Sequence, residues 1–111
     1  PKAKILAHPT GRLLNSRAGY EASWEKLFAF CAENNKALEI NAWPERLDLS
    51  DGLVKEAKEK GCKFVIDTDS HAIAHMENMF YGVSVARRGW CEKKDIINSW
   101  DVAKFLNWIE S

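Results

Sequence analysis

The sequence has no excess of either charge. Its 111 residues include 16 lysines and arginines and 16 aspartates and glutamates, which gives a formal net charge of zero at pH 7. A protein that holds a nucleic-acid backbone through its overall field is normally basic, so any phosphate contact here must come from local arginines or from bound cations. The overall charge therefore indicates no partner.

Cysteines are few, and no long apolar run occurs. The three cysteines, Cys31, Cys62 and Cys91, are odd in number and form no Cys-x-x-Cys pair, which favours a reduced setting without a structural zinc site. The longest apolar stretch is too short for a bilayer, and Pro1-Lys2 does not begin a signal-peptide pattern. We expect a soluble, cytoplasmic protein with no membrane partner.

Short apolar runs alternate with amphipathic stretches. Four runs predict strands, the last covering residues 80–86, with ends at His8, Asn41, Asp69 and Ala86;. Capping residues predict helices that follow Ser23, Ser50 (or Asp51) and Ser99. A further short helix is predicted to begin at Ala72. About four βα units with buried parallel strands indicate an α/β fold, either a layered sheet or part of a barrel.

The side chains that could bind a ligand or take part in catalysis lie at or after the ends of the predicted strands. They are His8 after the first, Glu39 and Asn41 at the second, Asp69 and His71 after the third, and Arg87 and Arg88 after the fourth. The carboxyl ends of parallel strands meet at one edge, where ligands bind in barrels and open sheets. The pattern predicts a single site at that edge.

Asp69-Ser70-His71 places a carboxylate and an imidazole two positions apart. These donors suit Zn, Mn or Fe. Alternatively, Asp69 caps the next helix and His71 is an ordinary surface histidine. The nearby Asp67 favours the metal interpretation, because two acids at the end of an apolar strand are costly without a cation or another partner. His8 alone is more often a satisfied histidine, and we assign His75 to a helix surface.

Five arginines are candidates for phosphate contact, because a guanidinium offers forked donors to two phosphate oxygens. They are Arg12, Arg17, Arg46, Arg87 and Arg88. Each alone is more often a solvated surface charge, and Arg12 and Arg46 are favoured because they follow strands that carry candidate polar residues. Among the tryptophans, Trp43 and Trp90 are candidates for base stacking, whereas those at 24, 100 and 108 are expected to pack in the core.

Five segments taken in order carry a family resemblance. They resemble the second half of the PHP (polymerase and histidinol phosphatase) domain that follows the polymerase core in bacterial family-X DNA polymerases. The segments are Ala7-His8-Pro9-Thr10-Gly11-Arg12, Leu38-Glu39-Ile40-Asn41-Ala42, Arg46-Leu47-Asp48-Leu49, Thr68-Asp69-Ser70-His71 and Ala86-Arg87-Arg88-Gly89-Trp90.

The resemblance implies a partial (β/α)7 PHP-type barrel with up to three divalent metal ions at the strand ends. It implies that His8, Asp69 and His71 are metal ligands and catalytic residues. Glu39 and Asn41 would contact these ligands rather than the metal, or would lie on the substrate side. It also implies phosphate contacts from Arg12, Arg46, Arg87 and Arg88. The implied reaction is metal-dependent hydrolysis of a phosphoester, as a 3′-5′ exonuclease or 3′-phosphatase on DNA 3′ ends, without a side-chain nucleophile.

The remaining ligands of that family pattern do not occur in residues 1–111. We therefore expect residues 1–111 to form the C-terminal portion of a PHP domain, which needs an N-terminal half in cis or in trans. Two alternatives stay open. One is a phosphatase of small phosphomonoesters such as histidinol phosphate, and the other is a non-catalytic half-barrel module that associates through its open sheet, for example as a homodimer.

Overall fold

The computed structural model describes residues 3–19 and 21–111. Its elements in chain order are β1 (Ile5–Leu6), α1 (Trp24–Glu33), β2 (Ala37–Asn41), α2 (Asp51–Glu59), β3 (Lys63–Asp67), a 3-10 helix (Ile73–Asn78), α3 (Met79–Arg88), two 3-10 turns (Lys93–Asp95 and Ile97–Ser99) and α4 (Val102–Glu110). Pro1 and Lys2, which bear on the signal-peptide prediction, lie outside the described residues.

The described strands form a parallel sheet in the order β1-β2-β3. Ile5 pairs with Ala37 and Ala37 with Lys63, so β2 is the central strand. All five residues of β2 are buried, as expected for a parallel strand covered on both faces. The predicted α/β fold with parallel strands is confirmed, whereas the partial PHP-type barrel stays a prediction.

Alternation along β2 divides the core into two layers. Leu38 and Ile40 pack with Phe28 of α1 and Val54 of α2 in the larger cluster. On the other face, Ala37 packs with Ile97 and Trp108. Burying each large apolar side chain contributes about 1.5–3 kcal/mol. The two layers cover the central strand, while Glu39 and Asn41 also lie buried near the carboxyl end of β2.

The predicted fourth strand at 80–86 is wrong, because these residues belong to α3. Gly82 and Ala86, four residues apart, are the buried residues of this helix. A short apolar run does not distinguish a strand from a helix, and here the small residues at helical spacing let α3 approach the sheet. The described part of the chain therefore has three strands rather than the four of the predicted βα units.

The free edge of β3 is occupied by a side chain. Asn98 donates from Nδ2 to the carbonyl oxygen of Ile66 at 2.6 Å and accepts from the amide N–H of the same residue at 3.2 Å. Its neighbour Ile96 forms a single parallel bridge with Phe64. The amide side chain thus replaces two hydrogen bonds that a further strand would make.

Three helix starts were expected at serines. Helix α1 begins directly after Ser23 as predicted, although the side chain of Ser23 makes no capping hydrogen bond. Ser50 caps α2 by accepting from the amide of Leu53 at 3.4 Å, as predicted. Ser99 does not cap the last helix, because Asp101 accepts from the amide of Lys104 at 2.9 Å. A carboxylate at this position also interacts favourably with the helix dipole, which explains why α4 begins later than expected.

None of the three cysteines forms a disulfide. Burial raises the pKa of the Cys62 thiol to about 12, which keeps it protonated at neutral pH;. No helix in the described part of the chain combines the length and the apolar character needed to cross a membrane.

Two helical glycines provide a matched test of the packing of α3. A Cβ at Gly82 would lie 2.5 Å from Ile66 Cγ2 and 2.9 Å from Ala42 Cβ, whereas a Cβ at Gly52 meets nothing within 4 Å. We predict that Gly82→Ala lowers the free energy of unfolding by about 1–3 kcal/mol, and that Gly52→Ala raises it by about 0.5 kcal/mol. Urea denaturation measures both, and equal effects would contradict the close approach of α3 to the sheet.

Candidate functional site at the carboxyl edge of the sheet

Asn41 joins the polar residues at the end of β2 to the loop after β3. Its side chain, 1% exposed, donates from Nδ2 to Glu39 Oε1 at 3.3 Å and to Asp69 Oδ2 at 3.2 Å. Its Oδ1 accepts from the amide of Trp43 at 2.9 Å. A buried amide satisfied on both sides fixes its neighbours in space, so Glu39 and Asp69 are held on one face of the edge.

The turn after β1 is attached to the same group. The amide of His8 donates to Glu39 Oε1 at 2.6 Å, and Glu39 is 7% exposed. His8 has a φ of 26°, in the left-handed region that is uncommon for non-glycine residues;. Its imidazole is exposed. The backbone of His8 thus contacts the site, and its side chain is open to solvent beside it.

Asp69 and Arg46 form an ion pair at the mouth of the site. Arg46 Nε lies 3.8 Å from Asp69 Oδ2, with side chains 19% and 35% exposed. Arg46 Nη1 is buried and has no hydrogen-bond partner among the described residues. An unsatisfied donor on a buried charged group is costly, so the described residues leave the hydrogen bonding of this guanidinium incomplete.

His71 is oriented by the backbone of the preceding loop. Its Nδ1 lies 2.8 Å from the carbonyl oxygen of Asp69. With the proton on Nδ1, this contact is a donated hydrogen bond and leaves a lone pair on Nε2, the arrangement that histidine ligands of metals commonly adopt. His71 is exposed, and its contact with the carbonyl leaves Nε2 as the ring nitrogen that could bind a metal ion.

His75 has contacts that the sequence interpretation did not assign. Its Nδ1 accepts from the amide of His71 at 3.0 Å, and its ring centroid lies 4.6 Å from that of Trp43. The spacing of four residues between the two histidines was the signal that could have indicated this contact. Trp43, a candidate for base stacking, packs on His75 and links the loop after β2 to the loop after β3.

Asp67 is an unusual carboxyl at the end of β3. Its pKa is raised from 3.8 to about 7 by burial, then by the neighbouring carboxyl of Glu39 and the charge of Asp69;. Its Oδ1 is buried without a hydrogen-bond partner in the described part of the chain. The edge therefore concentrates three carboxyls that destabilise one another when they are ionised.

The chemistry of these donors fits a divalent cation, although their number falls short of a complete site. Carboxylates placed close together and an exposed imidazole suit Zn, Mn or Fe. Within residues 3–19 and 21–111, however, no three His, Cys, Asp or Glu side chains are gathered closely enough to hold a metal ion. The expected set of His8, Asp69 and His71 supplies ligand types but is not assembled around one point.

The other candidate arginines lie in different surroundings. Arg12 donates to the backbone carbonyls of Arg46, at 2.9 Å, and Leu47. Arg88, at the end of α3, pairs with Asp51 at 2.7 Å, and its neighbour Arg87 is exposed. Both were expected to follow a strand, and their position at a helix end removes that reason for placing them at the site.

Asp48 was not predicted as a functional residue, although it belongs to one of the segments that carry the family resemblance. In the structure, its contacts hold two loops together at this edge of the sheet. Its carboxylate is fully buried and accepts from the amides of Thr10, at 3.0 Å, and Gly11, at 2.8 Å. Its own backbone pairs with Asn41 in both directions, at 2.6 and 3.2 Å. Nothing local in the sequence signals a contact over 38 residues.

Asp67 generates a prediction about pH. The folded-state pKa of Asp67, about 7, lies above the ordinary 3.8. The contribution of Asp67 to the free energy of unfolding is therefore fully present below pH 3.8 and is lost as the pH rises through 7. In the presence of a chelator, we expect Asp67→Asn to gain stability relative to wild type between about pH 4 and pH 7 and to hold that gain above pH 7. Urea midpoints at several pH values measure this, and a difference that is constant with pH would contradict it.

Comparison with known proteins yields one informative similarity. No protein-family model matches the chain. The chain is 46% identical over 105 residues to the DNA polymerase/3′-5′ exonuclease PolX of Bacillus subtilis (strain 168). The match covers 92% of this chain and 18% of that protein, so the chain spans less than a fifth of the length of this relative. At this identity, the similarity relates the chain to a region of PolX.

Proposed function

We propose that this region contributes to a metal-dependent phosphoesterase that acts on DNA 3′ ends. The carrying observation is that Asn41 donates to both Glu39 and Asp69 at the carboxyl edge of a parallel sheet. The relative with which the chain shares 46% identity is named a 3′-5′ exonuclease. The chemistry of the edge and the name of the relative support the same reaction class.

In this proposal, Asp69 and His71 hold divalent cations, and His8 contributes a further imidazole from the turn after β1. The ions would supply charge neutralisation and an activated water for attack on phosphorus. Because no three candidate ligands converge among the described residues, the remaining ligands come from other polypeptide, as in the PHP-type barrel expected from the sequence. The match to 18% of a longer relative is compatible with that arrangement.

Arg46 is the residue that we assign to the phosphoryl group. It is held against Asp69 at 3.8 Å and retains a buried N–H group on Nη1. A guanidinium beside a metal-ligand carboxylate stabilises the negative charge that develops on the equatorial oxygens during phosphoryl transfer. Arg46 also neutralises part of the carboxylate charge when no substrate is bound.

Asn41 has a separate role, which is to orient the ligand. Its Nδ2 donates to Asp69 Oδ2 at 3.2 Å, so Asn41 restrains one oxygen of this carboxylate. Residues that orient a ligand in this way affect metal affinity or activity by about 10–100-fold. Glu39 in turn holds both Asn41 and the amide of His8.

The test is hydrolysis by the complete polypeptide that carries this region. We predict Mn²⁺-dependent or Zn²⁺-dependent turnover of an oligonucleotide 3′ end, abolished by chelator and lowered more than about 100-fold in Asp69→Asn. Asp51→Asn is the matched control, since Asp51 pairs with Arg88 outside the site. Full activity in Asp69→Asn would contradict the proposal.

Substrate choice separates the proposal from its alternatives. Oligonucleotides ending in a 3′-hydroxyl or a 3′-phosphate distinguish exonuclease from 3′-phosphatase activity. Turnover of a small phosphomonoester alone would favour the small-molecule phosphatase. A folded protein that neither binds metal nor hydrolyses any of these substrates would favour the non-catalytic half-barrel.

A further inference from the structure

The loops that follow β1 and β2 are bound to each other in both directions. From the first loop, Arg12 donates Nε to the carbonyl oxygen of Arg46 at 2.9 Å and Nη2 to that of Leu47. From the second loop, Asp48 accepts the amides of Thr10 and Gly11. We call these two contacts, Arg12 on residues 46–47 and Asp48 on residues 10–11, the loop clamp.

The loop clamp holds backbone in a conformation that is uncommon for this sequence. Leu47 has a φ of 42°, in the left-handed region, where a branched apolar side chain has no local stabilisation. Such residues persist only where surrounding contacts fix them, and they cluster at functional sites. Two consecutive carbonyls facing one planar guanidinium are the kind of contact that fixes this turn.

The clamped turn carries the side chain that faces the site. The first carbonyl that Arg12 binds is that of Arg46 itself, and Arg46 Nε lies 3.8 Å from Asp69 Oδ2. Its side chain is 19% exposed, so it has little room to compensate for a displaced backbone. The position of the Arg46 guanidinium therefore depends on the contacts of Arg12 and Asp48 with the backbone.

We propose that Arg12 and Asp48 are positioning residues that hold Arg46 in place for the transferred phosphoryl group. This inference rests on the proposed function. It gives Arg12 a different role from the direct phosphate contact expected from the sequence, because its Nε and Nη2 donate to protein carbonyls. What matters at position 12 is then the forked geometry of the guanidinium and not its charge alone.

The distinction between geometry and charge defines the experiment. Arg12→Lys keeps the charge but not the fork, and Arg12→Gln removes both. We predict that both variants lose kcat by about 10–100-fold, since a misplacement of about 1 Å has this effect, with KM changed less than about twofold. Addition of Arg46→Gln to Arg12→Gln should cost little more than either change alone, because the two residues act as a unit.

Lys60→Gln is the matched control for loss of one positive charge, because Lys60 pairs with Glu25 at 3.2 Å, away from both loops. We expect it to keep kcat close to that of wild type. Retention of full kcat in Arg12→Lys would overturn the positioning role, since a charge that contacts phosphate directly survives this change. Thermal unfolding confirms that each variant is folded before kinetics are compared.

Hydrogen exchange tests the loop clamp without any activity. In Arg12→Lys we predict faster amide exchange in both loops, residues 8–12 and 43–48, and unchanged exchange in α1. Unchanged exchange in the two loops would overturn the inference whatever the activity. An inactive wild type whose clamp variants show the predicted exchange would contradict the proposed function and leave the clamp supported.

Discussion

The carboxylate of Asp48 is the contact on which the arrangement of this edge depends. Asp48 is fully buried, and its two oxygens accept from Thr10 and Gly11. A buried carboxylate without such donors costs several kcal/mol. Because β1 is only two residues long, ladder bonds contribute little to fixing the turn that carries His8, and Asp48 supplies much of the missing restraint.

The candidate site brings several carboxyl groups close together, which lowers the stability of the fold. Glu39, Asp67 and Asp69 crowd the ends of two neighbouring strands, and their mutual repulsion together with burial raises the pKa of Asp67 to about 7. Asn41 and Arg46 offset part of this cost by donating to Asp69 or pairing with it. A cation would remove the remainder, which gives this unfavourable arrangement a physical reason to exist.

The sequence predicted the regular parts of this fold because their signals are local. Ser50 capped α2 as expected, and the strands near Ile40 and Phe64 are short, partly apolar runs whose length agrees with buried strands;. The helix at 79–88 was predicted as a strand, because its pattern becomes distinguishable only once Gly82 and Ala86 are seen against the sheet.

The candidate site could be predicted only in its residue types. His8, Glu39 and Asp69 were identified by their position after strands, a rule that follows from the topology of parallel sheets. The loop clamp, made by Arg12 and Asp48 with the backbone of the opposite loop, joins segments about 35 residues apart. Contacts of this kind have no local sequence pattern. For the same reason, the sequence assigned Arg12 by its chemistry to phosphate, whereas its hydrogen bonds are with the backbone.

The central claim is that the edge holding Asp69 and His71 binds divalent cations. The most direct measurement is paramagnetic broadening of backbone amide resonances in this region while the isotope-labelled complete polypeptide that carries it is titrated with Mn²⁺. The account predicts broadening at sub-stoichiometric Mn²⁺ that is confined to residues near His8, Asn41 and 67–71, and that is lost in Asp69→Asn. Uniform broadening, or broadening centred on a different part of the chain, would contradict it.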